Sequence, residues 1–150
     1  MATFKATDLN TKAVHVGPFG EASLPAGKVT LTAFAAADKV QICKIAAGTE
    51  VHGIILANDD IDSSGTPTAA FKLGYEPVDT AAGPAASDAY FGATGDTALQ
   101  AVNNGKLYAN FDPIKFEQDV FLILTATASA ATFAAGSVRA KALVRNIGVK

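Results

Sequence analysis

Two histidines, one cysteine and fourteen carboxylates are the residues of this 150-residue chain that could serve as ligands, bases or nucleophiles. His15 and His52 lie in different predicted strands, and neither has a second histidine within metal-ligand spacing. An isolated strand histidine is more often packed or solvated than a ligand. The stretch Asp60-Ile-Asp62-Ser-Ser64-Gly65 opens like a calcium loop, with oxygen donors at alternate positions before a turn glycine. The twelfth position should then carry a bidentate glutamate, and it is Phe71. A weak surface calcium site at Asp59, Asp60 and Asp62 and a plain solvated turn both remain open, and the turn is the simpler reading. The segment from Ala22 to Val29 has the lysine of a phosphate loop but lacks its first glycine and its final hydroxyl, and Pro25 removes an amide that such a loop would offer. No Gly-x-Ser-x-Gly elbow occurs. Glu117 and Asp119 are close in sequence, but nothing supplies a partner or cleft. Catalytic, metal and cofactor sites are therefore all expected to be absent, and the chain is not expected to be an enzyme.

Composition narrows the alternatives. At 15.3 kDa the chain fits one domain, long enough to bury a core without disulfides or metals. Cys43 has no second cysteine to pair with and sits in an alternating stretch, Lys39 to Ile45, where it reads as a small packed residue. Hydrophobic residues reach 49% and charged residues only 17%, which excludes a disordered chain. A formal net charge of −2 gives no electrostatic case for nucleic-acid binding. No window approaches the ~20 apolar residues of a membrane span. The first ten residues contain no apolar run of the kind found in signal peptides, so synthesis and retention in a cytoplasm, or in something assembled there, is expected.

Glycine and proline punctuate the chain at strand-and-turn spacing, leaving segments mostly too short for ordinary helices. Period-2 alternation is visible in Lys28 to Phe34, in Val40 to Cys43, and in Ser137 to Arg145. In the last of these Val138, Ala140, Ala142 and Val144 oppose Arg139, Lys141, Leu143 and Arg145. Val120 to Leu124 is apolar on both faces and reads as a central strand. Asp96 to Asn103 predicts one short helix, with Asp96 as N-cap and Asn104-Gly105 as its stop. Asp79 to Asp88 is a low-complexity loop. The expected fold is all-β: a single antiparallel β-sandwich or jelly-roll-like barrel with one short helix. Residues 1–20 are expected to form an extended N-terminal arm, and residues 21–150 the sandwich.

So few charges cannot cover the surface of a small domain densely, and interface cores are depleted in charge. Extensive protein contact is the expected use. Phe4, Val14, Val16 and Phe19 are spaced as in an arm that packs on a neighbour, and Phe133 stands at a small-residue hairpin tip. Equally, these residues could complete the domain's own core. If they form an arm, removing residues 1–20 should weaken contact far more than folding. Arg139, Lys141 and Arg145 share one strand face, either as a solvated face that discourages edge pairing or as a rim for an acidic partner.

The stretches Ala46 to Gly53, Leu56 to Pro67 and Phe71 to Tyr75 resemble the small structural proteins of tailed bacteriophages. In those, a strand is followed by an acidic turn, a Gly-x-Pro, and a strand ending in glycine. The Asp-Pro-Ile strand start at Asp112 and the final hairpin of Thr- and Ala-rich strands fit the same pattern, so that the likeness spans roughly residues 28 to 146. The resemblance implies a capsid decoration, or cement, protein of small jelly-roll type. Such a protein binds the outside of the expanded head, bridges neighbouring major capsid protein subunits as a dimer or trimer, and needs no nucleic acid, membrane or cofactor. A head-fibre base, a tail or neck component, and a carbohydrate-binding sandwich are the alternatives. The last would normally display exposed Trp or Tyr, and this chain has no Trp and only Tyr75, Tyr90 and Tyr108.

Overall fold

The computed structural model describes residues 1–10, 20–92 and 94–149. Among the described residues ten strands form in chain order: β1 (Thr3–Lys5), β2 (Ala22–Ser23), β3 (Ala26–Leu31), β4 (Lys39–Ile45), β5 (Thr49–Asn58), β6 (Ala70–Pro77), β7 (Asn103–Tyr108), β8 (Ile114–Phe116), β9 (Val120–Ala128) and β10 (Gly136–Asn146). One sheet has the order β1-β4-β9-β6. In the other, β10 pairs with β5 on one side and with β2 and β3 on the other, while the far side of β5 carries β7 and β8.

The six strands of the larger sheet make only four rows. β2 and β3 follow successive parts of β10 and are separated by Leu24-Pro25, and β7 and β8 follow successive parts of β5 with Pro113 between them. Proline has no amide hydrogen to give a ladder, so each edge strand breaks where one falls. Two four-row sheets thus lie face to face as a β-sandwich, antiparallel throughout except that β1 runs parallel to β4. A parallel pair needs a long crossover, and here β2 and β3 lie within it.

The alternation expected for β10 is realised. Val138, Ala140, Ala142 and Val144 are buried, and they meet Val29, Leu31, Val51, Ile54 and Leu56 in the core. The opposite wall is Val40, Ile42, Leu73, Leu122 and Leu124. β9 is the central strand of its sheet and is buried on both faces from Val120 to Ala126. The sheets come closest where β3 passes β4. A Cβ on Gly27 would lie 1.8 Å from the carbonyl oxygen of Ile42, so only glycine fits that crossing.

The one short helix is a single 3-10 turn at Ala98–Gln100. The stop expected at Asn104-Gly105 instead lies inside β7. Tertiary contacts account for the difference. Leu99 is fully buried, and the Asn58 side-chain amide donates to the carbonyls of Ala98 and Ala101, at 3.1 and 2.9 Å. Pairing of Asn103 to Tyr108 with β5 then takes the residues a longer helix would need.

The expectation of an arm over residues 1–20 meets the described structure at its first ten residues, and these are docked on the domain's own sheet. Asp38 accepts the amide of Ala2, the Ala6 amide donates to Gln41 O at 3.1 Å, and Ala6 and Leu9 are buried. Val14, Val16 and Phe19 lie outside the described residues.

Candidate contact face

The chemically capable residues are placed for structural work. Cys43 is buried, with its sulfur 4.0 Å from the carbonyl oxygen of Pro25. His52 Nε2 lies 3.0 Å from Glu50 Oε2 on the outside of β5. His15 falls outside the described residues. Among the described residues no group of three His, Cys, Asp or Glu side chains is arranged to hold a metal ion.

The acidic turn does something the sequence did not disclose. Asp62 is buried and accepts four backbone amides: Thr68 and Ala69 from its own loop, at 2.6 and 2.9 Å, and Ala131 and Thr132 from the β9–β10 loop, both at 2.9 Å. Burial alone would raise its pKa. The amides of Thr132, Ala131, Ala69 and Thr68 outweigh that and hold the carboxyl far below the usual aspartate range. A carboxylate ringed by N–H donors presents positive edges to any approaching cation, so Asp62 serves as a clasp between two loops. Asp60 Oδ1 accepts the Asp62 amide at 3.0 Å, and Asp59 accepts the Ser137 amide at 2.8 Å and faces Arg139 Nη2 at 3.3 Å.

The outer faces of the two sheets differ in kind. On the smaller sheet, Phe121, Ile123 and Thr125 of β9 are flanked by Lys39, Gln41 and Lys44 on β4 and by Lys72 and Glu76 on β6. Those long side chains cover the apolar strand with their stems, and their charges are matched. Lys39 and Gln41 both hold Glu76, Lys44 pairs with Asp119, and Lys72 pairs with Asp88. Burial opposes ionisation of Glu76 and Asp119. The hydrogen bonds from Gln41 and Lys39 in one case, and from Lys44 and the Ala47 amide in the other, prevail and lower both pKa values.

The larger sheet presents the reverse. Register sets its outward residues in rows: Lys28, Arg139 and Ala57; Ala26, Lys141, Ile55 and Leu107; Leu143 and Gly53; Ala22, Arg145, Glu50 and Lys115. Leu143 and Leu107 converge over Gly53, whose missing side chain forms the floor between them. Leu24 and Leu107 are 58% and 57% exposed. A groove of about 460 Å³ runs beside Leu24, Leu143, His52 and Arg145. Among the described residues, Lys28, Lys141 and Arg145 make no ion pair. This face is therefore an apolar stripe bordered by unmatched positive charge.

Of the residues singled out from the sequence, the structure gathers Arg139, Lys141 and Arg145 on this face. Phe4 and Phe133 go elsewhere: both are half-buried and pack against the domain's own core, Phe4 opposite Val40 and Phe133 bridged to Asp62. Sequence reasoning missed Lys28, Ile55, Leu107 and Leu143. Leu143 carried a signal, an apolar residue standing in an otherwise basic row. Also missed was the aromatic cluster of Tyr75, Tyr90, Phe91, Phe111 and Phe116, whose ring centroids lie 4.7 to 6.0 Å apart. Tyr75 is buried and Tyr90 half-buried in that cluster, and Tyr108, outside it, is buried as well, so none of the three presents a fully exposed ring of the kind that stacks on sugars.

No protein-family model matches the chain, and no curated protein matches it in sequence. Solved structures do share its fold. A chain in the capsid of Ralstonia phage GP4 superposes with a TM-score of 0.81 at 19% identity, over 97% of this chain and 98% of that one. A chain in the capsid asymmetric unit of cyanophage Pam1 gives 0.66 at 23% identity, over 93% and 95%. A chain in the acidic stable capsid of Helicobacter pylori bacteriophage KHP30 gives 0.58 at 14% identity, over 86% and 90%.

Proposed function

We propose that this chain is a structural protein of a bacteriophage particle, which binds the outer surface of the capsid and bridges neighbouring major capsid protein subunits. The observation that carries the reading is end-to-end likeness of fold, over nearly the whole of both chains, to a chain of a phage capsid structure. The same likeness recurs, more distantly, in two other phage capsids. Matching lengths matter here, because a whole domain of the same size is reproduced rather than a common core inside something larger.

The work done is physical. A protein that binds only the assembled, expanded lattice stabilises that lattice by mass action. Each copy needs no more than a standard interface of about 1,600 Å² in total, and the number of copies multiplies the effect. Arg139, Lys141 and Arg145 belong to the contact surface on this reading, and self-association as a dimer or trimer sets the spacing of the bridges. Val14, Val16 and Phe19 remain contact candidates. Phe4 and Phe133 contribute through the fold that presents the contact surface. Nothing in the role calls for catalysis, a cofactor, nucleic acid or a membrane.

Co-sedimentation with expanded phage heads lacking this chain, and with unexpanded procapsids, tests the proposal. Saturable binding to expanded heads alone is expected. Binding to neither, with recovery in neck or tail assemblies, would overturn the capsid role.

A further inference from the structure

We infer that the outer face of the larger sheet is the docking surface, and that its occupant is an apolar protein surface flanked by carboxylates. The inference deepens the capsid reading and rests on it for the identity of the partner, a capsid subunit. Three observations carry it. First, the chain has a net charge of −2, yet the outward rows of β10 and β3 bear Lys28, Arg139, Lys141 and Arg145, three of them without an ion pair among the described residues. The excess is local and not a reflection of composition. Second, the cations border apolar side chains that no described part of the protein covers: Leu24 and Leu107 are mostly exposed, and Leu143 leans over the Gly53 floor. An apolar core with a charged rim is the anatomy of a protein interface. Third, on the outer face of the smaller sheet the three lysines beside the central strand, Lys39, Lys44 and Lys72, are each matched to a carboxylate, and Lys5 stands at its β1 edge, next to Gln41, near Glu76.

The sign of the charge decides the occupant. A second copy docked face to face would bring two rims of net positive charge together, and like charges juxtaposed across an interface disfavour the pairing. An acidic rim neutralises them and also steers the approach. Between Arg139 and Arg145 the stripe is about 20 Å long. The groove beside Leu24 takes an aliphatic anchor near one end. Glu50 is the one carboxylate in these rows; it lies next to Arg145 and Lys115 in register, and its Oε2 is 3.0 Å from His52 Nε2, so the rim keeps an excess of positive charge.

The test compares wild type with Lys141→Gln/Arg145→Gln, with Leu143→Ser, and with the opposite-face control Lys5→Gln/Lys72→Gln, which changes net charge equally. Apparent Kd for expanded heads lacking the chain is measured at low and at physiological salt. The Lys141/Arg145 pair and Leu143→Ser are each expected to bind about tenfold more weakly. Of the two face variants only Leu143→Ser should keep the wild-type salt dependence, and the control should stay within about twofold of wild type. Equal affinity of the face variants and the control would overturn the inference and leave the capsid role standing. If wild type binds no heads, the capsid role fails instead. The face is then probed by NMR titration with a (Glu-Leu)₅ peptide, with (Lys-Leu)₅ as comparison. Salt-sensitive shifts confined to the outward residues of β10, β5 and β7 support it. Shifts on the other sheet, no shifts, or self-association abolished by Leu143→Ser refute it.

Discussion

Replacing Gly27 by alanine puts one methyl group where the two sheets nearly touch. Its carbon would stand 1.8 Å from the Ile42 carbonyl oxygen, 2.7 Å from the Ile42 carbonyl carbon and 3.2 Å from the Cys43 Cβ. Two of these three atoms are backbone in the buried strand β4, so no rotamer change relieves the contact. Reaching even 3.0 Å demands that β3 and β4 part by about 1.2 Å, and overpacking of this kind costs about 1–3 kcal/mol where side chains can still adjust. With backbone on both sides the expected loss is at least the upper figure, about 3 kcal/mol. For a chain of this length that lowers Tm by about 6–12 °C. Gly65→Ala is the matched control, because nothing lies within 4 Å of its added carbon. Differential scanning calorimetry of both variants is decisive. A Gly27→Ala Tm within about 2 °C of wild type would refute the close-packed crossing and, with it, the way the sandwich closes along that edge.

Leu9→Ala should cost about 2–3 kcal/mol in urea denaturation, because the side chain is buried; a loss under 0.5 kcal/mol would mean that the first ten residues hang free of the core. Asn58→Ala should cost about 2–4 kcal/mol, since the carbonyls of Ala98 and Ala101 lose their donor. Asn58→Asp should be worse, because it turns an acceptor toward them, and equal stability of the two variants would contradict the hydrogen-bond assignment. The Asp62 carboxyl titrates below its ordinary value of 3.8 in the folded chain, so its contribution is complete above that pH and fades as pH falls toward the lowered value. Asp62→Asn should therefore lower Tm at pH 7, and the gap from wild type should narrow below pH 4. A gap that stays constant down to pH 2 would count against the clasp.

Much of the sandwich was legible because strand burial writes itself as period 2. β10 announces its inner face through Val138, Ala140, Ala142 and Val144, and β9 announces a central position through Val120 to Leu124. Pairing partners were hidden, since nothing local tells β10 that it will lie between β5 and β3, or β1 that it will run parallel to β4. Asp96 to Asn103 misled in length because its helical signals are local, whereas the Asn58 amide that holds the turn comes from 40 or more residues away and Leu99 is buried by tertiary packing. Asp62 read as part of a solvated turn, with a weak cation site as the alternative, for the same reason. Two of its four donors come from a loop about seventy residues later. The basic triad of β10 could be read from sequence, but the stripe it borders joins residues from β5, β7 and β10 and exists only once the sheet is assembled.

The Asp62 clasp ties residue 62 to residue 132 in a chain with no disulfide to do so. A disulfide restricts the unfolded chain as well as the folded one; this tie vanishes completely on unfolding and depends on no redox state. It also requires that the loops after β5 and β9 already stand in place, and the expectation is that it forms after the rate-limiting step of folding. Interactions made that late hardly change how fast a protein folds, but they must be broken before it can open. On that expectation Asp62 acts as a brake on unfolding: in denaturant-jump kinetics Asp62→Asn should speed the loss of the native state while the folding rate stays near wild type, and a slowed folding rate would show the clasp to be an early contact instead.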